Sequence, residues 1–149
     1  MKETMDDRIR ELCNIVREIG FAIHCYHKHG HLEKIYENAM VSRLRKAGLK
    51  TAQQAPLPVF DEDGTLLGDF YADLLIEDTL IVEVKAVRHL VDEHVAQLLG
   101  YLRSARRDHG LLMNFGAPKF YIKKYVLSDE NNGVVFAPSA PFRGQLIVL

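Results

Sequence analysis

Residues 68–87 have the sequence GDFYADLLIEDTLIVEVKAV, in which two strongly apolar runs are separated by the polar residues 77–79. Both runs have the length and composition of β-strands. Side chains alternate between the two faces of a strand, so Glu83 and Lys85 share one face of the second run. The opposite face carries only apolar residues. The stretch therefore predicts a β-hairpin in which one surface combines apolar and charged side chains.

The pairing of this hairpin follows from its loop. If residues 77–79 form a three-residue loop, Ile76 lies opposite Leu80, and Asp73 lies opposite Glu83. A two-residue loop would shift the pairing by one position and mix the apolar and polar faces. Carboxylates that face each other directly across two strands repel unless a positive charge neutralises them. The hydrophobic pattern thus predicts that Asp73 and Glu83 converge on one surface.

Asp73, Glu83 and Lys85 together suit phosphodiester hydrolysis. Two hard carboxylate ligands favour Mg²⁺ or Mn²⁺, which would polarise a phosphoryl oxygen and lower the pKa of a bound water. Lys85 would position that water or stabilise the developing negative charge. The alternative is a surface strand that carries an ordinary Glu–Lys ion pair, which contributes little to stability.

Periodicity outside the hairpin predicts the remaining elements. Apolar residues at three- and four-residue steps predict helices over 6–28 and 32–47 and a third helix with Asp92 as its N-cap. The strand candidates are 51–60, 66–78, 79–87, 110–116 and 119–127. We expect an α/β (mixed α+β) fold: a central mixed sheet of about five strands flanked by helices, two of them N-terminal. One domain would span 1–149, with the tail at 129–149 left unassigned.

Composition limits the classes of function. At 149 residues, with 48% hydrophobic and 26% charged residues and no long apolar run, the sequence is typical of a globular domain without a membrane span. The charged N-terminus does not resemble a secretory signal, so we expect a cytoplasmic protein. Because the net charge is −1, nucleic acid would have to bind a local basic patch. The candidates are Arg43, Arg45, Lys46, Lys50, Arg103, Arg106, Arg107, Lys119, Lys123 and Lys124.

A family resemblance adds to this picture. Asp73 followed, after nine residues, by Glu83-Val84-Lys85 resembles the PD-(D/E)XK nuclease signature, with Ala72 in place of the proline. Gly30, Glu33 and Tyr36 match the motif of the small GxxExxY proteins of that superfamily. The segments LRKAGL, GDFYADLLIED, LIVEVKAV, HVAQLLGYL and LLMNFG also match, in order, between about Phe21 and Leu127.

The resemblance implies a restriction-endonuclease-like core and a Mg²⁺- or Mn²⁺-dependent nuclease, with DNA favoured over RNA as substrate. It makes Asp73, Glu83 and Glu33 the metal ligands and Lys85 the catalytic lysine. It also makes Gln97, on the helix after the core strands, a polar residue of the site. Oligomeric state does not follow from it.

Further polar side chains are candidates for a supporting role. His94, Gln97 and Tyr101 form a stripe along one helix, which faces either the carboxylates or solvent. Tyr36, one turn from Glu33, suits a core position whose hydroxyl bonds a residue of the site.

Two other functions compete with a nuclease. One is a catalytically silent module that binds nucleic acid or a protein partner on the same fold. The weaker one is a structural zinc site in the segment HCYHKHGH, His24 to His31, since histidine- and cysteine-rich tracts can bind metal.

Overall fold

The computed structural model describes residues 2–127 and 134–136. The elements in chain order are α1 (Met5–His27), α2 (Glu33–Lys46), β1 (Thr51–Phe60), β2 (Leu66–Ile76), β3 (Leu80–Lys85), α3 (Asp92–Ser104), β4 (His109–Asn114), β5 (Tyr121–Leu127) and β6 (Val134–Phe136). The strands form one mixed sheet in the order β1 to β6, in which only the β3–β4 pair is parallel. The predicted α+β architecture is confirmed. Strand β6 comes from the unassigned tail, whose remaining residues lie outside the described ones.

Helices cover both faces of the sheet. Apolar side chains of α1 and α2, such as Ile9 and Met40, pack with Val82 of β3 in one buried cluster. On the opposite face, Leu98 of α3 packs with Ile81 of β3 in a second cluster. Each fully buried side chain of this kind contributes about 1.5–3 kcal/mol. The result is a three-layer domain in which both faces of β3 are buried.

Tyr36 determines how the chain enters α2. Its hydroxyl donates to the carbonyl of Lys28 at 2.5 Å and accepts from the N–H of His31 at 3.2 Å. Its ring is fully buried and stacks on Phe115 with 4.7 Å between ring centroids. This anchor closes the turn between the first two helices and thereby places Glu33 at the start of α2.

The β2–β3 hairpin has the predicted loop and the predicted pairing of its first residues, but the paired residues end before Asp73 and Glu83, which were predicted to lie directly opposite each other. Ile76 lies opposite Leu80, and the ladder continues to Leu74 opposite Val82, which leaves the three-residue loop at 77–79. A one-residue slip would expose the apolar face of each strand, so the hydrophobic pattern selects this alignment.

The side chains of β2, however, do not alternate regularly between the two faces of the sheet as those of a regular strand would. Ala72 and Leu75 pack in the cluster beneath α3, whereas Leu74 packs in the cluster beneath α1 and α2. The change of face occurs at Asp73, opposite Gln54 of β1, whose φ of 50° interrupts the pleat. Asp73 therefore lies at an irregular point of the sheet, where neighbouring strands lose their regular pairing.

Candidate active site

Asp73 occupies the point at which β2 and β3 separate. The paired residues of this hairpin end at Leu74 and Val82. Two residues further along β3, the N–H of Val84 donates to Oδ2 of the Asp73 carboxylate at 2.8 Å, in place of a backbone carbonyl of β2. Oδ1 of the same carboxylate accepts from Nε2 of Gln54 at 3.2 Å. Both carboxylate oxygens are thus held by protein donors.

Glu83 is the buried member of the site. Its side chain is on the same face of β3 as Lys85, and the residue is only 6% exposed. Burial raises the pKa of Glu83 to about 9, and the negative charge of Asp73 and a hydrogen bond shared with that carboxyl act in the same direction against the opposing charge of Lys85. Within the described part of the chain, Glu83 Oε1 has no hydrogen-bond partner. An unsatisfied buried oxygen of this kind suits a site that receives a cation.

Helix α3 contributes to the other side of the site. Gln97 Oε1 lies 3.5 Å from Lys85 Nζ, and Gln97 Nε2 donates to the hydroxyl of Tyr101 at 2.7 Å. The Tyr101 ring stacks on Phe70 of β2, with 3.9 Å between ring centroids. Gln97 and Tyr101 therefore form a chain of contacts from the lysine to the sheet.

His94 has a different role from its neighbours on the stripe. Its Nδ1 accepts from the N–H of Val91 at 3.1 Å, so the imidazole caps the start of α3. The prediction of Asp92 as N-cap was wrong, because Val91 is the N-cap and Asp92 is the first helical residue. His94 acts locally on the helix terminus, where a donor would otherwise lack a partner.

Glu33 lies at the first turn of α2, close to the carboxylate pair. The pKa of Glu33 is raised above its ordinary value, mainly by burial. The positive charge of Lys85 opposes this shift, and the negative charge of Asp73 adds to it. The N–H of Ala86 lowers the pKa and the carboxylate of Glu37 raises it, both more weakly. The structure thus brings Glu33 into electrostatic contact with Asp73 and Lys85.

Comparison with known protein families shows the superfamily to which this chain belongs. The family model of the PD-(D/E)XK nuclease superfamily matches residues 10–125, which run from α1 to β5. The chain belongs to the PD-(D/E)XK nuclease superfamily. A comparison with curated proteins finds no match. In the described residues, no helix is long and apolar enough to span a membrane.

Nucleases of the PD-(D/E)XK superfamily usually use divalent metal ions. Residues 2–127 and 134–136 contain no group of three or more His, Cys, Asp or Glu side chains arranged to hold one. Mg²⁺, however, is commonly bound through only one or two carboxylates, with water and substrate phosphates as further ligands. Asp73 and Glu83, with the unpartnered Glu83 Oε1, fit that type of site. Glu33 as a third ligand stays a prediction.

Two residues near the candidate site were missed by sequence reasoning. Glu37 is 3% exposed on α2, one turn after Glu33, and its Oε1 accepts from Nε2 of Gln54 at 2.9 Å. The same Nε2 bonds Asp73, so Gln54 connects α2 to the carboxylate pair. The four-residue spacing of Glu33 and Glu37 was the available signal for Glu37. Gln54 gave no signal, because its contact depends on an unusual backbone conformation.

The histidine-rich segment has its own contacts within the fold. His24 is buried, and its Nε2 lies 2.8 Å from the carbonyl oxygen of Ala117. Its ring packs against Phe120, with 5.9 Å between ring centroids, while Cys25 is exposed. These contacts explain His24 as a packing residue that joins α1 to the segment between β4 and β5. Within the described residues, the side chains of this segment do not belong to any group of three or more potential metal ligands.

Proposed function

We propose that this protein is a Mg²⁺- or Mn²⁺-dependent nuclease of the GxxExxY group that hydrolyses phosphodiester bonds in DNA, with RNA as the alternative substrate. The observation that carries the proposal is the convergence of Asp73 with the buried Glu83, beside Lys85, where β2 and β3 separate. Membership in the superfamily supports a nucleic-acid substrate.

The proposed roles follow from the chemistry of each side chain. Asp73 and Glu83, with Glu33 as an additional ligand, would hold a divalent cation, which when bound supplies positive charge to the phosphoryl group. Lys85 carries three donors and a positive charge, so it can stabilise negative charge on the phosphate or orient the attacking water. Gln97 accepts from the ammonium and limits its freedom, because the amide is itself bonded to Tyr101.

A pocket beside the site supports binding of a polyanion. It has a volume of about 520 Å³, and its lining includes Arg88, His89 and Lys119. Asn114, which also lines the pocket, pairs with Lys85 in the β3–β4 ladder. The pocket therefore lies near the C-terminal ends of β3 and β4, as does Lys85, and its basic side chains can contact phosphates on either side of the scissile bond.

Several of the basic residues predicted to contact nucleic acid have partners within the fold. Arg45 donates to the carbonyl of Thr51 at 2.9 Å, and Arg107 donates to the carbonyl of Asp78 at 2.8 Å. Lys50 Nζ lies 2.7 Å from the Asp78 carboxylate. These three cations stabilise local structure, so we place the nucleic-acid contacts at the pocket instead.

The test is a cleavage assay with purified protein on single- and double-stranded DNA and RNA, with Mg²⁺, Mn²⁺ or a chelator. We expect metal-dependent cleavage of at least one substrate, and a loss of at least about 100-fold in Lys85→Ala and Asp73→Asn. Lys2→Ala, at the exposed start of the described residues, is the matched control and should retain activity.

Two results would contradict the proposal. One is the absence of metal-dependent cleavage for every substrate, and the other is full activity in Lys85→Ala. Binding of nucleic acid without cleavage or metal uptake would favour the silent binding module.

A further inference from the structure

Gln54 has an unusual backbone conformation for a residue inside a strand. Its φ of 50° lies in the left-handed region, which side chains other than glycine rarely adopt because Cβ crowds the backbone. In the described part of the chain, the other non-glycine residues with positive φ occur in turns or next to helix ends: Lys28, Glu77, Asp78 and Arg106. Among these residues, Gln54 alone has its positive φ inside a β-strand.

Burial does not account for this strain. Gln54 is exposed, so its side chain adds little to either apolar cluster. What the conformation provides is a pair of hydrogen bonds from one amide nitrogen. Nε2 lies 2.9 Å from Oε1 of Glu37 and 3.2 Å from Oδ1 of Asp73. A strained residue that bonds two carboxylates at a candidate site suggests a functional reason for the strain.

The hydrogen bonds of Gln53 show which of the two Gln54 contacts can be replaced. Gln53 Nε2 also donates to Glu37 Oε1, at 3.1 Å, and to Oδ1 of Asn38 at 2.7 Å. Lys34 Nζ lies 3.3 Å from the same Glu37 oxygen. Glu37 thus keeps other partners when Gln54 is removed, whereas the bond to Asp73 Oδ1 belongs to Gln54.

We infer that Gln54 is a positioning residue for the metal site, which orients the Asp73 carboxylate by tying it to the buried Glu37. The inference rests on the proposed function. With Oδ2 bonded to the Val84 N–H and Oδ1 bonded to Gln54, the Asp73 carboxylate is fixed in one plane before a cation arrives. A ligand that is already oriented loses less freedom on binding, and partners of metal ligands commonly change metal affinity by 10- to 100-fold.

The test compares Gln54→Gly with wild type and with Gln53→Ala. Glycine removes the amide and also removes the backbone strain, so the urea midpoint of the metal-free variant should equal or exceed that of wild type. Binding of Mn²⁺, measured from the electron paramagnetic resonance signal of the free ion, should weaken by 10- to 100-fold. Gln53→Ala should bind Mn²⁺ within about threefold of wild type.

The outcomes separate this role from the proposed function. Equal Mn²⁺ affinity in Gln54→Gly and wild type would overturn the positioning role while leaving a nuclease site intact. A large loss of stability in Gln54→Gly would overturn it as well, because the residue would then be structural. If wild type binds no Mn²⁺ at all, the proposed function fails and this role fails with it. Cleavage by Gln54→Gly that is restored by a raised Mn²⁺ concentration would support the role.

Discussion

Replacing Glu83 with glutamine should stabilise the metal-free protein at neutral pH while it removes the proposed activity. In the folded state, burial and the Asp73 charge raise the pKa of Glu83 to about 9, whereas its ordinary value is 4.5. Between these values the folded state holds a proton that the unfolded chain has released. The stability associated with that proton is therefore complete below pH 4.5 and is lost as the pH rises through 9.

The magnitude follows from the separation of the two pKa values. Each pH unit in this window lowers the free energy of unfolding by about 1.4 kcal/mol. Glutamine has nearly the same shape and no ionisable group, so it does not suffer this loss. We expect Glu83→Gln to exceed wild type by about 3–4 kcal/mol at pH 7, about 2.5 units above the lower end of the window, and to differ little near that end.

Urea unfolding in the presence of a chelator, at several pH values between about 5 and 8, measures this difference. Comparing variant with wild type at each pH cancels the titration of other groups. Glu62→Gln, in the exposed β1–β2 turn, is a matched control and should unfold like wild type. A stability difference that is independent of pH, or a Glu83→Gln variant that is less stable at every pH, would refute the reasoning.

Three further substitutions test the framework around the site, each by urea unfolding. Asn114→Ala should lose about 2–4 kcal/mol, because the buried amide bonds both the N–H and the carbonyl of Val87 at 3.0 Å; wild-type stability would contradict this. Gly116→Ala should lose about 3 kcal/mol or more, since its Cβ would lie 2.3 Å from the Val87 nitrogen; a neutral effect would show that the backbone yields. Tyr36→Phe should lower the free energy of unfolding by about 1–2 kcal/mol, because the hydroxyl that bonds the carbonyl of Lys28 is removed. An unchanged urea midpoint would show that this hydrogen bond does not stabilise the fold.

Much of the fold follows from hydrophobic periodicity. The loop at 77–79 and the pairing of Ile76 with Leu80 were predictable, because any other alignment would expose the apolar face of a strand. The helices were predictable because their buried side chains recur at three- and four-residue steps. The neighbourhood of Asp73, Glu83 and Lys85 also follows from that alignment.

The rest of the site depends on contacts between segments that are distant in sequence. At Asp73 the apolar side chains of β2 change from one face of the sheet to the other, next to the left-handed Gln54. This conformation could not be predicted, because glutamine has no intrinsic preference for it. The burial of Glu37 follows from the packing of α2 against β1, which periodicity does not specify. His94 looked like a residue of the site because it shares a stripe with Gln97, yet its hydrogen bond caps its own helix.

The bond between the Asp73 carboxylate and the Val84 N–H has a consequence for comparing related sequences. Because this side chain replaces a backbone acceptor, selection for a stable fold alone would preserve Asp73 after activity had been lost. Glu83 has the opposite property, since its buried carboxyl lowers stability at neutral pH and is favoured only where function requires it. Among descendants of such a domain, retention of Glu83 is therefore the better indicator of an active enzyme.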